Sequence, residues 1–407
     1  MKRLDPATLD GALDEAVDTA FETSQVPLLA ALVEQSSCSR EPEDVEAAFA
    51  ILDRAATHAG LAVERVVDLA SRVAAHRVYT SAACADDTRA LALVGHLDTV
   101  FPRAMGFTGF RREGDVARGP GVLDMKSGVT SMLFALDALR SVWPEGANAL
   151  PLRIVIVSDE EIGSPSSHTL FAALAPKTLA ALVFEAGRDE DRIVTRRKGG
   201  GLYSVTARGV SAHAGNRYLD GTNAIVALSL VLPRIEAMSA PPIGTTVSVG
   251  LIEGGTAKNT VPDHAIAHLD TRYETLAEAM RLEASMRALL ADPFADLSEA
   301  IAPARLRKAT LSLEGGVTRP PMEPGAETAA LLASYAMAAR AVGLGADEAP
   351  LQGGGSDANL LAAHGVPCID GLGPYGQYFH ETREWCSLGS LSRRTKALAR
   401  FLAHRVA

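Results

Sequence analysis

Cysteine is scarce in this 407-residue chain. Cys38, Cys84, Cys368 and Cys386 are its four thiols, and no two have CxxC spacing. That pattern points to free thiols in a reducing, cytoplasmic setting rather than a disulfide framework. Positive charge is in deficit, with 39 Lys and Arg against 49 Asp and Glu, a formal net charge of −10. Such a balance argues against nucleic acid or an anionic membrane as a partner. No uninterrupted apolar run approaches the ~20 residues that a membrane-spanning helix needs. The opening Met-Lys-Arg-Leu-Asp-Pro leads into an acidic amphipathic stretch with no apolar h-region, so no secretory signal is expected. No Gly-Lys-Ser/Thr follows the Gly-rich loop at 352–359, and no GxGxxG follows the run before His96. A phosphate loop and a metal-free dinucleotide-binding enzyme are therefore disfavoured.

What is present is the composition of a globular protein, 47% hydrophobic and 22% charged. The length exceeds one ordinary core, so two domains are expected. Residues from about 10 to 60 read as two amphipathic helices. Apolar strands then alternate with helical stretches to about Lys198, including a helix from Met125 to Val142. This alternation predicts an α/β fold, a mainly parallel sheet flanked by helices.

Near Gly199 the character changes. Strands are expected over Leu202–Arg208, Thr245–Ile252, Ala265–Tyr273 and Arg305–Leu313, with helices over Asn223–Met238 and Leu276–Leu290. The order is β-α-β-β-α-β, a ferredoxin-like unit. Gly-rich stretches at 198–201 and 314–316 flank it. The expected organisation is a first domain in two parts, 1–198 and 318–407, interrupted by an inserted domain at 199–317. Helices near Ala329–Val342 and Leu388–Ala403 close the chain.

Five segments carry metal-binding side chains in loop-like surroundings: Gly-His96-Leu-Asp98-Thr, Gly-Val-Leu-Asp124-Met-Lys, Asp159-Glu160-Glu161-Ile-Gly, Phe-Glu185-Ala-Gly and Tyr-Phe-His380-Glu. The runs before His96, Asp159 and Glu185 read as buried strands, and strand ends are where an open α/β sheet gathers its chemistry. Imidazole and carboxylate without thiolate suit zinc or a similar divalent ion. His96 and Asp98, two apart in extended chain, point to the same side. One can ligate while the other orients it. Asp124 has two readings: a helix N-cap, or a carboxylate bridging two cations. Adjacent Glu160 and Glu161 after a buried strand are costly without a nearby positive charge. One can ligate while the other acts as general base toward a metal-activated water. The Gln352–Asn359 loop reads as an anion nest opening a helix.

Together these segments resemble the dinuclear zinc family that contains glutamate carboxypeptidase, acetylornithine deacetylase, succinyl-diaminopimelate desuccinylase and aminoacylase. The resemblance covers nearly the whole chain in the family's motif order, and the pattern is nearest the glutamate carboxypeptidases. It implies two zinc ions per subunit, for which Co²⁺ or Mn²⁺ can substitute, bridged by Asp124. His96 and Glu185 would complete one ion, Glu161 and His380 the other. Glu160 would be the general base, and Asp98 would tune the site beside His96. In the inserted domain, His213 matches a histidine that reaches the partner subunit's site in a homodimer and stabilises the oxyanion. Asn259, Arg272 and Gly355 match substrate-binding positions. Arg192 and Arg319 fall at basic positions near the substrate side chain.

The activity so implied is release of a C-terminal amino acid, Glu or Asp among the candidates, from a small N-acyl or peptidyl substrate. The alternatives are deacylation of an N-acyl amino acid, with the acyl group setting specificity, and a non-catalytic metal-binding homologue. The segment Thr195-Arg-Arg-Lys198 and the loop after Pro102 depart from the glutamate carboxypeptidase pattern and bear on substrate, not on chemistry.

Overall fold

A computed structural model describes residues 5–406 apart from Asp86. Residues 1–4, read above for a leader, lie outside the described residues. The chain forms two compact units. The first comprises Met1–Arg196, Pro324–Gln352 and Ser356–Ala407; the second comprises Arg197–Glu323 with Gly353–Gly355.

The first unit is built on a six-stranded sheet in the order Ala62–Val66, His76–Thr80, Leu152–Val157, Ala90–His96, Thr178–Val183, Cys368–Ile369. The last four strands are mutually parallel and the first two join antiparallel. Strands Ala90–His96 and Leu152–Val157 are buried along their whole length. Continuous apolar runs, rather than alternation, are what a parallel sheet covered on both faces requires. Leu93, Ile154 and Leu182 from the sheet share one core with Leu136, Tyr335, Phe401 and Leu402. These come from helices Ser127–Val142, Ala326–Ala341 and Leu388–Val406.

The N-terminal helical expectation holds with a modification. Helices Pro6–Ala20 and Val26–Glu34 run on through a π turn at Phe21–Gln25, and Pro42–His58 follows. The π turn buries Gln25, whose Nε2 donates to Thr395 Oγ1 at 2.9 Å. The expected start of the following helix at Met125 is corrected. Asp124 and Met125 have non-helical backbone angles, and the regular helix begins at Ser127.

The second unit holds the four-stranded antiparallel sheet Thr246–Gly254, His264–Tyr273, Gly199–Arg208, Thr310–Arg319, in that order. Helices Ala224–Glu236 and Leu276–Ala291 give the β-α-β-β-α-β sequence, and this spatial order is ferredoxin-like. Two boundaries differ from expectation. The last strand starts at Thr310, because Leu306–Lys308 is a 3-10 turn. The Gly-rich stretches that flank the unit belong to its sheet. They lie inside paired strands, with Gly201 opposite Val317 and Gly316 opposite Leu202. Bulk is excluded there, since a Cβ on Gly201 would sit 2.8 Å from Thr271 Oγ1 and 2.9 Å from the Gly316 carbonyl oxygen.

Candidate metal centre

Strands Leu152–Val157, Ala90–His96 and Thr178–Val183 are parallel neighbours, with Ala90–His96 in the middle. Their carboxyl ends therefore deliver three segments to one edge of the sheet: Asp159–Glu161, His96–Asp98 and Glu185. A small second sheet brings the remaining donors. Its strands run in the order Gly376–Gln377, Trp385–Ser387, Val116–Arg118, Arg111–Glu113. The connection between its first two strands carries His380, and the chain leaving Val116–Arg118 leads directly to Asp124.

The result is two groups of donors around one carboxylate. His96 Nε2 lies 3.1 Å from Asp124 Oδ1 and 3.8 Å from Glu185 Oε1. His380 Nε2 lies 2.9 Å from Glu161 Oε2 and 3.4 Å from Asp124 Oδ2. Each oxygen of Asp124 thus faces a different histidine. Donor atoms of His96, Asp124 and Glu161, and likewise those of His96, Glu160 and Glu185, lie within 4.8 Å of one another. His96, Asp124 and Glu185 are buried, while the His380 side chain is 48% exposed and forms the open side of the centre.

Asp98 holds this edge together. The backbone carbonyl of Asp98 is 3.0 Å from His96 Nδ1, which leaves Nε2 facing Asp124 and Glu185. The carboxylate of Asp98 accepts from the Glu160 and Glu161 amides at 3.3 and 3.1 Å. It also accepts from Ser39 Oγ at 2.6 Å. One buried carboxylate therefore ties the His96 loop to the Glu160–Glu161 loop. Asp159 is engaged elsewhere, where its Oδ2 accepts the amides of Ser166 and Ser167 at the start of helix Ser167–Leu174.

The N-cap reading of Asp124 is not what the structure shows. The residue before the helix is Lys126, and no side chain caps it. The Asp124 amide is turned away and donates to Glu384 Oε1 at 2.9 Å. Glu384 is fully buried and also accepts from Leu123 at 2.7 Å and from Gly121 at 2.9 Å. The segment that carries His380 thus also grips the loop that carries Asp124.

The electrostatics of the cluster favour cations. Burial, with Asp124 as neighbour, pushes the Glu185 carboxyl well above its usual range. Burial likewise raises Glu161 to about 7, against the hydrogen bond from His380. Hydrogen bonds to Asp124 and Glu161 raise His380 to about 10. Burial pulls His96 down, but its bonds to Asp124 and Asp98 carry it well above the ordinary histidine range. Carboxylates crowded in a low-dielectric site need cations among them. Two imidazoles, several carboxylates and no thiolate, grouped about a two-oxygen bridge, fit a pair of divalent ions.

A comparison with protein families decides the lineage. The profile of peptidase family M20/M25/M40 matches residues 92–404. The chain belongs to that family. Carboxypeptidase G2 of Pseudomonas sp. (strain RS-16) is 27% identical over 317 residues, 77% of this chain and 73% of that protein. A protein of Aspergillus terreus named "Probable carboxypeptidase" is 32% identical over 197 residues, 44% of each chain, so that match spans less than half of the relative. A solved tripeptidase from Staphylococcus aureus superposes with a TM-score of 0.74 at 21% identity, covering 95% of this chain and 98% of its own. An M20 family metallo-carboxypeptidase from Sulfolobus solfataricus gives 0.66 at 15% identity, covering 93% and 98%. A Bacillus subtilis protein described as a dinuclear metal binding peptidase gives 0.68 at 15% identity, covering 95% and 99%. These likenesses bear out the expected fold, and the family membership bears out a metallohydrolase.

The other residues singled out in the sequence fall in different places. In the second unit, strand Thr260–Val261 pairs with Ala212–His213, and the Asn259 carbonyl accepts from Ala214 at 2.9 Å. His213 and Asn259 are thereby neighbours. His213 Nδ1 accepts the amides of Gly215 and Asn216 at 3.2 and 3.1 Å. Its proton therefore sits on Nε2, and the exposed ring is a donor. Arg272 is held by Asp270 through two hydrogen bonds of 2.9 and 2.8 Å. Arg319 lies against Gly355, where an added Cβ would meet Arg319 Cδ at 2.3 Å. In the first unit, Arg192 pairs with its neighbour Glu190. Helix Asp357–Ala363 is closed by its own capping box, in which Ser356 Oγ accepts from Ala358 and Asn359 Oδ1 accepts from Ser356. The anion-nest reading of that loop thus reduces to Gly353–Gly355.

Three supporting residues were not singled out: Ser39, Glu384 and Lys126. Lys126 is fully buried and donates to the Gln35 carbonyl at 3.0 Å. Burial lowers it to about 7. Its position two residues after Asp124 is the one signal the sequence offered.

Proposed function

We propose that this chain is a dinuclear zinc amidohydrolase of carboxypeptidase type, releasing a C-terminal amino acid, Glu or Asp foremost, from an N-acyl or peptidyl donor. The observation that carries the reading is Asp124, whose two oxygens face His96 with Glu185 on one side and His380 with Glu161 on the other. In this reading those five residues hold two ions per subunit, and Co²⁺ or Mn²⁺ can replace zinc. When bound, the metal pair supplies Lewis acidity and brings the pKa of water toward ~7.

The chain's own groups perform the rest. Glu160, its amide fixed on Asp98, takes a proton from the attacking water and returns it to the leaving amine. Asp98 holds His96 and the glutamate loop in register. His213 donates from Nε2 to the developing oxyanion, a contact worth about 10²–10³ in rate. Arg272, Asn259 and the Gly353–Gly355 amides receive the substrate's α-carboxylate, with Arg192 and Arg319 assigned to its side chain. The inserted domain, 199–317, serves as lid and dimerisation domain, and a homodimer brings each His213 to its partner's metal centre. The four free thiols support a cytoplasmic location, and among the described residues no helix is long and apolar enough to cross a membrane.

The test pairs metal analysis with a substrate panel. Gently purified protein should carry close to two zinc equivalents, and chelation should abolish turnover that zinc restores. Amidating the substrate's C-terminus should cost on the order of 2–3 kcal/mol, because buried polar groups lose their partner. Full activity without metal overturns the mechanism. Equal turnover of acid and amide would instead mark an aminopeptidase-like mode.

A further inference from the structure

A cavity opens against the loops that build the metal centre. It is a cleft of about 530 Å³ within the first unit, lined by Ser39, Arg40, Asp68, Arg72, Val73 and Ile162, with Pro165 closing one side. Two of its walls are continuous with the site. Ser39 donates to Asp98, and Ile162 directly follows Glu161. Groups bound in the cleft therefore sit one residue away from a proposed metal ligand on one wall and one hydrogen bond away from His96's support on the other.

The chemistry of the lining is specific. Arg40 and Arg72 are exposed, and neither guanidinium has a hydrogen bond or an ion pair with any described residue. Asp68, the one carboxylate in the lining, is engaged: its Oδ1 accepts the Ala70 amide at 2.9 Å, and Ser71 and Ser166 hold it below the usual aspartate range. The cleft thus presents two guanidinium groups against one ionised carboxylate, so positive charge is in excess there. The same lining includes apolar surface, with Ile162 41% exposed and Val73 and Pro165 also in it. Apolar surface and two guanidinium groups in one cleft fit a short methylene chain that ends in a carboxylate.

We propose that this cleft is a subsite for the acyl side of the substrate and that it selects acyl groups bearing a terminal carboxylate. The proposal rests on the amidohydrolase reading above, in which the α-carboxylate of the released amino acid is taken by groups of the second unit. The methylenes of the acyl chain lie along Ile162, and its carboxylate meets Arg40 and Arg72. Neither arginine touches the scissile bond, so the effect belongs to binding and specificity.

The experiment compares an N-glutaryl amino acid with its N-pentanoyl counterpart, equal in chain length and differing in the terminal charge. With zinc-loaded enzyme, kcat/KM for the glutaryl compound should be at least about tenfold higher, mainly through KM. In Arg40→Gln/Arg72→Gln that ratio should fall to near one. Arg40→Lys/Arg72→Lys should restore most of it, and Arg40→Glu/Arg72→Glu should reverse it. A ratio near one in the wild-type enzyme, or a preference that survives the double Gln variant, overturns the subsite. If neither compound is hydrolysed, the amidohydrolase reading fails on its own. Calorimetry of the two compounds on the metal-free protein then decides the subsite. Tighter glutaryl binding that is lost in the Gln variant supports it, and equal binding sinks it.

Discussion

At the scale of single residues, the centre distinguishes groups that face the reaction from groups that hold others in place. Glu160 and Glu161 are adjacent, and Glu161 Oε2 lies 2.9 Å from His380 Nε2. In the proposed roles, Glu160→Gln should keep close to two metal equivalents while turnover falls by about 10²–10⁴. Glu161→Gln should instead lose one metal. Near wild-type turnover in Glu160→Gln would remove it as the base. Glu384 is the counter-case, a buried residue whose described hydrogen bonds are to backbone amides. Replacing it with Ala leaves the Gly121, Leu123 and Asp124 amides without their acceptor, at about 1–3 kcal/mol for each buried group left unpaired. Glu384→Ala should unfold at lower urea and hold metal less tightly; unchanged metal affinity would show that the Asp124 loop keeps its shape unaided. The same contrast explains what was legible. His96, Asp124, Glu160, Glu161, Glu185 and His380 could be singled out because donor side chains at strand ends and in glycine-rich loops are unusual. Ser39 and Glu384 could not, because any acceptor or hydroxyl of the right reach would serve, and the contacts they make span 59 residues for Ser39–Asp98 and 260 for Glu384–Asp124.

At the scale of elements, the donors depend on how closely helix Ser127–Val142 approaches the sheet. Gly128 lies against the chain just past strand Thr178–Val183, where an added Cβ would stand 2.2 Å from the Phe184 carbonyl oxygen. Gly95, on the strand that ends at His96, is also crowded, but its nearest neighbour is the Met125 methyl at 2.4 Å, the end of a flexible side chain. Gly128→Ala should therefore push helix and strand apart, shift the following Glu185, and destabilise by about 1–3 kcal/mol, as overpacked cores do. Gly95→Ala should cost less, since methionine can move. Urea midpoints and zinc content of the two variants measure this, and equal losses would show that helix and strand yield as readily as the methionine. Element types were readable because the two periodicities differ. The buried runs Leu91–Val94 and Ile154–Val157 stand out as parallel strands, and alternating His264–Tyr273 as a half-buried one. Boundaries went astray where backbone geometry overrides pattern. Asp124 and Met125 leave the helix because the Asp124 amide is drawn to Glu384. Among the strand glycines at 199–201 and 315–316, a side chain at Gly201 would meet Thr271 and the Gly316 carbonyl, and one at Gly315 the Leu202 carbonyl, a constraint invisible without the neighbouring strand.

At the scale of the whole molecule, the proposed reaction draws on both units. The metal donors belong to the first unit, whereas His213 belongs to the second. The His213 loop has the features of an outward-reaching donor: Nδ1 is fixed by two backbone amides, Nε2–H is free to be offered, and the side chain is exposed. In the second unit, strand Thr246–Gly254 is an edge strand with Leu251 and Ile252 exposed, a surface suited to a two-fold contact with a copy of itself. If activity requires such a dimer with the site completed in trans, two inactive variants should rescue each other. In a mixed dimer of His213→Ala and Glu160→Gln chains, one metal centre has its own Glu160 and receives an intact His213 from the other chain. The second centre lacks both. Random exchange makes half of the dimers mixed, and each mixed dimer has one of two sites intact, so activity should approach about a quarter of wild type by the symmetry of a two-fold dimer. Size-exclusion chromatography of differently tagged chains establishes that exchange occurred. Exchange without recovered activity would place His213 in the site of its own chain, or outside the reaction altogether. Recovery that rises with the proportion of mixed dimers would tie the second unit's edge strand to catalysis.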